Sequence, residues 1–238
     1  MATAWSEIIR LAMVRIEDVR WNDELSISPA IFYRAKSDFV QSAIPMLNQP
    51  PKLLLYIQTG LVSPRYESAE WTSTPESTEA EATVRTGITG YELCSVSQMS
   101  TDGHTMTRTS IGSSYDAETG EITFPVQTEA GISYSIDFYT DGQFQELSVY
   151  MKNLLAMATA VVWDERFNRN WLDMKPKIKD SSFQTINEAN FMSKTSERLQ
   201  NSRMNFYGEL RRYEDTCSYL ARIPESARIS AAFGGDLI

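Results

Sequence analysis

The chain has 238 residues, a formal net charge of −9 and a hydrophobic fraction of 42%, which is typical of a folded globular protein and not of a disordered one. Such a length allows one large domain or two small ones. A chain of this size buries enough surface to fold without a metal ion or a disulfide. The negative charge lies mainly in residues 50–142, which hold 4 basic and 13 acidic side chains. This excess of acid argues against nucleic-acid binding by that segment.

No segment has the features of an exported or membrane protein. Glu7 and Arg10 interrupt the apolar residues near the N-terminus, so we expect no signal peptide. No apolar run approaches the roughly 20 residues of a membrane helix. Cys94 and Cys217 are too few for a secreted disulfide framework, so we predict two buried, reduced thiols. These features favour synthesis in a reducing cytoplasm.

Two helices are predicted in an N-terminal helical segment, residues 1–50. Apolar residues recur every three or four positions over residues 5–19, which predicts the first helix. Ser28 and Pro29 predict the start of the second, because serine caps helix N-termini and proline suits the first helical position. We expect Pro45 to kink or end this helix.

Residues 51–142 are predicted to form an inserted β-rich domain. The apolar run 53–57 predicts a short strand, whereas the polar, acidic residues 63–83 predict an extended loop. The other predicted strands cover residues 91–96, 106–111, 121–124 and 131–139.

The clearest β signal is a hairpin after Tyr115. A tight turn over residues 116–120 ends at Gly120, which can adopt the positive φ that such a turn needs. In the strand that follows, alternation places four apolar residues on one face: Ile132, Tyr134, Ile136 and Phe138. This face predicts a sheet core, although exposed aromatic residues could instead stack on a sugar.

Residues 143–222 are predicted to form long helices that pack with residues 1–50, and residues 223–238 form a C-terminal tail that could dock on a neighbour. One helix is expected over 144–171 and another over 183–219. The last helix carries a seven-residue repeat, which is typical of a coiled-coil-like seam inside the subunit or between subunits. Its candidate helix-packing or interface residues are Leu199, Phe206, Leu210, Tyr213 and Leu220. The whole pattern predicts an α+β fold, with long helices at both ends of the chain and an inserted antiparallel β-domain.

The sequence lacks the usual constellations of catalytic residues. His104 is the single histidine, and with two dispersed cysteines it cannot complete a common zinc site. There is no phosphate-binding glycine loop and no nucleophile elbow. Asp116, Glu118 and Glu121 could act as paired carboxylates of a glycosidase, but acidic residues are also common in turns. We therefore predict no enzymatic activity, no catalytic residues, no cofactor and no metal.

Part of this pattern resembles β-modules of bacteriophage virion proteins. The resemblance lies in Tyr115-Asp116-x-x-Thr119-Gly120-x-Ile122-Thr123-Phe124, in Gly131-Ile132, in the run 136–142, and in a following helix with Leu154-Leu155-Ala156 and Trp163. The opening helices and the Ser28-Pro29 start are similar to head-to-tail connector (adaptor) proteins, whose helices pack against a portal ring. The resemblance covers about half of the chain.

The resemblance implies a structural virion protein of the phage neck or tail. Such a subunit forms a ring of about twelve copies, binds the portal protein and tail or other neck proteins, and lines part of the DNA conduit. Genomic DNA would pass through without specific binding, and no membrane would be involved. The family has no catalytic residues to transfer. Two alternatives remain open: a carbohydrate- or receptor-binding tail module, and a wall-degrading hydrolase.

Overall fold

The computed structural model describes residues 2–16, 21, 28–99, 106–108, 112–126, 130–173 and 182–222. It contains helices and antiparallel sheets, so the predicted α+β class is confirmed. The chain forms two compact units. Unit 1 comprises Met1–Asp38 and Gly60–Glu146, and unit 2 comprises Phe39–Thr59 and Leu147–Ile238. Each unit therefore combines two stretches of chain, and the boundaries differ from the predicted ones at 50 and 142.

The helices are α1 (Trp5–Met13), α2 (Pro29–Ala43), α3 (Pro51–Gln58), α4 (Val149–Asp173) and α5 (Ser182–Arg222), with a 3-10 turn at Ile44–Met46. The strands are β1 (Thr3–Ala4), β2 (Arg65–Thr72), β3 (Ala82–Arg85), β4 (Glu92–Met99), β5 (Met106–Arg108), β6 (Ser114–Asp116), β7 (Glu121–Phe124), β8 (Ser133–Thr140) and β9 (Gln143–Phe144), and a second short 3-10 turn covers Glu76–Thr78. None of the helices in the described ranges is long and apolar enough to cross a membrane.

The described residues of unit 1 form three antiparallel sheets. One has the strand order β2-β8-β4-β5, another the order β3-β7-β6, and β1 pairs with β9. The core cluster of the strands consists of Val96, Ile122, Phe124, Tyr134, Ile136 and Phe138. Ile132 is partly buried against this cluster. The predicted core face of β8 is thus confirmed.

The predicted hairpin is also confirmed. β6 pairs with β7, and the amide of Gly120 donates to the carbonyl oxygen of Asp116 across 2.9 Å. Gly120 has a φ of +71°, as the turn requires. A Cβ at this position would lie 2.7 Å from the carbonyl oxygen of Ile88, so the close backbone approach also favours glycine.

The two helices at the start of the chain begin where predicted, but α1 ends at Met13, and residues 14–16 of the predicted helix over 5–19 are not helical. Trp5, Ile8, Ile9 and Ala12 are the buried stripe of α1. The second helix begins at Pro29, and the amide of Phe32 donates to the carbonyl oxygen of Ser28. It ends at Ala43, immediately before the 3-10 turn that contains Pro45. Residues 17–20, at the end of the predicted first helix, lie outside the described residues.

Two of the predicted secondary-structure elements are wrong. The run 53–57 is helical within α3, because Pro51 suits the first helical position and the buried residues Leu53 and Ile57 lie four apart. Residues 63–83 contain β2 and the start of β3 instead of an extended loop. β2 pairs with β8 over all eight residues, and this partner lies far away in sequence. Most residues of β2 are exposed, so its sequence shows little alternation of apolar and polar residues that could predict a strand.

The long helices of unit 2 match their predicted positions with one shift. The fourth helix begins at Val149 and not at residue 144, because residues 143 and 144 form β9. The hydroxyl of Ser148 accepts from the amide of Met151 at 3.3 Å, which is the geometry of a serine N-cap. The last helix spans Ser182–Arg222, slightly longer at both ends than predicted.

Candidate interaction surface of the long helices

In unit 2, α4 and α5 pack against each other in opposite directions. Near the start of α4, Tyr150 contacts Glu209, whereas further along α4, Asp164 contacts Ser202. Residues later in α4 therefore contact residues earlier in α5. The pair is an antiparallel helical hairpin, and the two helices share a buried seam.

The structure gives the five predicted seam residues three different environments. Phe206 and Leu210 are 0% and 1% exposed and form the centre of the seam. Leu199 and Tyr213 are half-buried at its two sides. Leu220 belongs to α5, but its side chain lies outside the described residues. The repeat therefore marks the packing face of α5, with full burial in its middle.

Polar contacts occupy the half of the seam that lies N-terminal to Phe206. Asp164 is 7% exposed, and it accepts from the hydroxyl of Ser202 at 3.0 Å and lies 3.4 Å from Nε of Arg198. Arg203 donates two hydrogen bonds to Glu165, from Nε at 3.0 Å and from Nη2 at 2.8 Å. Polar side chains in this part of α5 thus contact two carboxylates of α4. The seven-residue spacing alone did not identify those carboxylate partners.

Tyrosines hold the other end of the hairpin. The hydroxyl of Tyr150 donates to Glu209 Oε2 at 2.8 Å and also lies 3.0 Å from its carbonyl oxygen. The ring of Tyr150 stacks on Tyr213 with centroids 5.5 Å apart. Burial, followed by a hydrogen bond with the thiol of Cys217, raises the pKa of Tyr213. Tyr213 is therefore fixed on both sides and remains a neutral phenol at physiological pH.

Unit 2 also presents large apolar side chains to solvent. Met204 and Tyr207 of α5 are 64% and 47% exposed and lie one turn apart. Val149 of α4 is 76% exposed, and Leu55 of α3 is 64% exposed. We refer to Met204 and Tyr207 as the exposed α5 surface. These two side chains make it the candidate contact surface of α5.

The acidic turn of unit 1 has a structural role. Asp116 Oδ1 accepts from the amide of Glu118 at 2.9 Å, and Oδ2 accepts from the hydroxyl of Thr119 at 3.0 Å. These two hydrogen bonds lower the pKa of Asp116. Glu121 pairs with Arg85 across the β7–β3 ladder at 2.6 Å. The carboxylates thus stabilise the turn and the sheet, which supports the interpretation of Asp116 as an ordinary turn residue.

The aromatic residues of β8 lie inside unit 1. Tyr134 is 2% exposed and Phe138 is 0% exposed, so neither can stack on a sugar. Trp71 stacks on Phe124 and Tyr134 with centroids 4.1 and 5.6 Å away. Within the described ranges, no group of three or more histidine, cysteine or acidic residues could hold a metal ion. His104 lies outside those ranges.

Both cysteines are reduced thiols. Cys94 is buried in β4, as predicted, but Cys217 is only half-buried near the end of α5. The prediction of two buried thiols is therefore wrong for Cys217, because the packing of α5 covers this side chain only in part.

Comparison with known proteins finds no matching family model, no similar curated protein and no similar solved structure. The functional interpretation therefore depends on the residues and geometry of this chain.

Proposed function

We propose that this chain is a structural subunit of a tailed bacteriophage's head-to-tail connector, a neck or tail-adaptor ring that links the portal to the tail. In this proposal, the chain has long helices at both ends and an inserted antiparallel β-domain. Copies of it form a ring of about twelve, located in the virion. The ring contacts the portal protein and tail or other neck proteins, and it forms part of the DNA conduit.

The observation that carries the proposal is the exposure of α5. This helix has 41 residues, whereas its partner α4 has 25. At 1.5 Å per residue, α5 is longer by about 24 Å. Among residues 193–218, whose side chains the structure describes, Phe206 and Leu210 are the buried ones. One small core does not require so much helix, and a ring subunit uses such helices to contact its neighbours.

The charge distribution is compatible with a channel wall. Residues 50–142 carry most of the net negative charge, and Glu67, Glu70 and Glu118 are among their exposed acids. A negatively charged surface repels the phosphate backbone and prevents DNA from adhering during passage. DNA would then pass without specific binding.

The alternative of a carbohydrate- or receptor-binding tail module has less support. Two of the aromatic residues that could have stacked on a sugar, Tyr134 and Phe138, are in the core. A hydrolase would require two carboxylates free to act on a substrate, whereas Asp116 and Glu121 are engaged in local hydrogen bonds and an ion pair.

The test uses the exposed α5 surface in the virus whose genome encodes the chain. Met204→Asp combined with Tyr207→Asp places charges on side chains that are 64% and 47% exposed, so the fold should be retained. We expect the yield of tailed, infectious particles to fall at least tenfold. Gln200→Asp is the matched control, because Gln200 is an exposed polar residue of the same helix.

Circular dichroism of the purified variants verifies that each one is folded. A normal particle yield with the folded double variant would contradict the assignment of this surface to assembly. An equal loss with Gln200→Asp would show that the effect is not specific to the apolar residues.

A further inference from the structure

Unit 2 contains a cleft of about 590 Å³ between α3, the start of α4 and the C-terminal part of α5. Its lining is mainly apolar, and its walls include Leu53, Tyr56, Met151, Tyr213 and Cys217. This volume lies within the range of roughly 300–1,000 Å³ found for sites that hold a small ligand. The cleft therefore has room for large side chains of a second protein molecule.

The exposed α5 surface carries side chains that suit this cleft. Met204 and Tyr207 are three residues apart, so they lie on the same side of α5, and they are 64% and 47% exposed. The thioether of a methionine packs favourably against aromatic rings, and the cleft offers those of Tyr56 and Tyr213. Neither Met204 nor Tyr207 lines the cleft. One copy can therefore present this surface to one neighbour while its cleft receives the same surface of another.

The charges beside the two surfaces are complementary. Arg211 is exposed and lies one turn after Tyr207 on α5, whereas Glu214 is half-buried in the wall of the cleft. Among the residues that the structure describes, neither of these charges has an ion-pair partner. Lys52 is the second charged residue of the lining, and its exposed, flexible side chain can keep its ammonium group in water. A pair between Arg211 and Glu214 of different copies would fix the orientation of the contact.

We propose that the exposed α5 surface of one copy inserts into the cleft of a second copy of this chain, with Arg211 of the first copy paired to Glu214 of the second. The contact joins two different surfaces, so it repeats head to tail and generates a ring where the rotation closes. The inference rests on the proposed function, because it names the partner of the surface that was there assigned to assembly.

The first experiment is disulfide cross-linking of the purified full-length protein. Tyr207→Cys, and separately Met204→Cys, introduces a thiol that should form a disulfide with Cys217 on mild oxidation. Positions 207 and 217 are ten residues apart on one helix, so their Cα atoms are about 15 Å apart within a chain. A disulfide requires Cα atoms within about 7 Å, so this linkage can form only between copies.

We expect a series of dimers, trimers and larger products on a non-reducing gel, because each copy carries one thiol at each surface. Mass spectrometry should identify the introduced thiol linked to Cys217. Asn205→Cys is the matched control, since Asn205 is an exposed polar residue on another side of α5. Linkage to Cys217 that is no more efficient with Tyr207→Cys and Met204→Cys than with this control would overturn the proposal. Products that stop at the dimer would also overturn it, because they indicate reciprocal pairing about a twofold axis.

The second experiment exchanges the two charges and measures self-association by sedimentation equilibrium. Arg211→Glu and Glu214→Arg should each weaken self-association about fivefold or more, and the two changes combined should restore it to about the wild-type value, because the ion pair re-forms with its charges reversed. Circular dichroism verifies that each variant is folded. Equal association of wild type and both single variants, or no recovery in the combined variant, would overturn the Arg211–Glu214 contact.

These results can be separated from the test of the connector proposal. Absence of the specific disulfide from a chain that still labels the junction of capsid and tail would overturn this contact and leave the connector proposal intact. The specific disulfide series in a chain that is absent from virions would support this contact and contradict the connector proposal.

Discussion

Replacing Phe206 with alanine tests the seam between α4 and α5. Phe206 is 0% exposed, and a buried phenylalanine removes roughly 150–250 Å² from water, which at about 25 cal/mol per Å² corresponds to about 4–6 kcal/mol for the whole residue. Alanine retains part of this burial, and core Phe→Ala changes cost about 3–5 kcal/mol. The ring of Phe206 lies against Tyr207, which is half-exposed and can move into part of the cavity. We therefore expect a loss of about 3–4 kcal/mol.

Urea unfolding followed by far-ultraviolet circular dichroism measures this loss. At a slope of about 2–3 kcal/mol per molar urea, the midpoint for unit 2 should fall by roughly 1–2 M. Met204→Ala is the matched control on the same helix, because Met204 is 64% exposed and its truncation should cost no more than about 0.5 kcal/mol. Equal midpoints for the two variants would refute the assignment of Phe206 to the centre of the seam. For Phe206→Asp, which adds an unpaired charge to the same site, we expect failure to fold or to assemble.

Two further predictions concern unit 1. Gly120→Ala should destabilise unit 1 by about 2 kcal/mol or more in the same urea assay, because φ is +71° and the added Cβ would lie 2.7 Å from the carbonyl oxygen of Ile88. Gly131→Ala is the control: its φ is +83°, but the added Cβ would meet no atom within 4 Å, so the loss should be only about 1 kcal/mol. Equal losses for the two variants would exclude the close approach to Ile88 as the cause. Burial and the neighbouring Asp141 raise the pKa of Tyr139 in the folded protein. As pH rises, the phenol of Tyr139 therefore loses its proton in the unfolded chain first, and the free energy of unfolding falls above the unfolded pKa of about 10. Tyr139→Phe should reduce the fall in unfolding free energy between about pH 10 and 11 by about 1 kcal/mol, and an unchanged pH dependence would show that Tyr139 does not titrate differently in the two states.

The elements predicted well from the sequence depend on local patterns. The first helix follows from apolar residues at three- and four-residue steps such as Trp5, Ile8 and Ala12, and the second from Ser28 and Pro29. The hairpin at Gly120 follows from a turn that specifies its own geometry. In these cases, the interactions that determine the structure join residues that are close in sequence.

The missed elements depend on residues far away in the chain. β2 pairs with β8 about seventy residues later, and its exposed acidic residues resemble those of a loop. The run from Leu53 to Ile57 is short and wholly apolar, so its periodicity does not distinguish a strand from a buried helix. The signal for the helix was Pro51, at the first helical position.

The candidate surface was predicted in part. The seven-residue repeat contains Phe206 and Leu210, and both side chains are buried in the structure. It could not show that Asp164 is the buried partner of Ser202, since that contact joins residues of two different helices that lie 38 positions apart in the chain. Nor could it show that Met204 and Tyr207 remain exposed, since exposure depends on which neighbours cover each position.

The most direct test of the connector proposal is immunogold electron microscopy of virions produced from the genome that encodes this chain, with an antibody raised against the purified protein. The proposal predicts gold at the junction between capsid and tail. Gold at the distal tip of the tail would contradict it and favour a receptor-binding module. Absence of gold from both intact and disrupted particles would show that the chain is not a virion component.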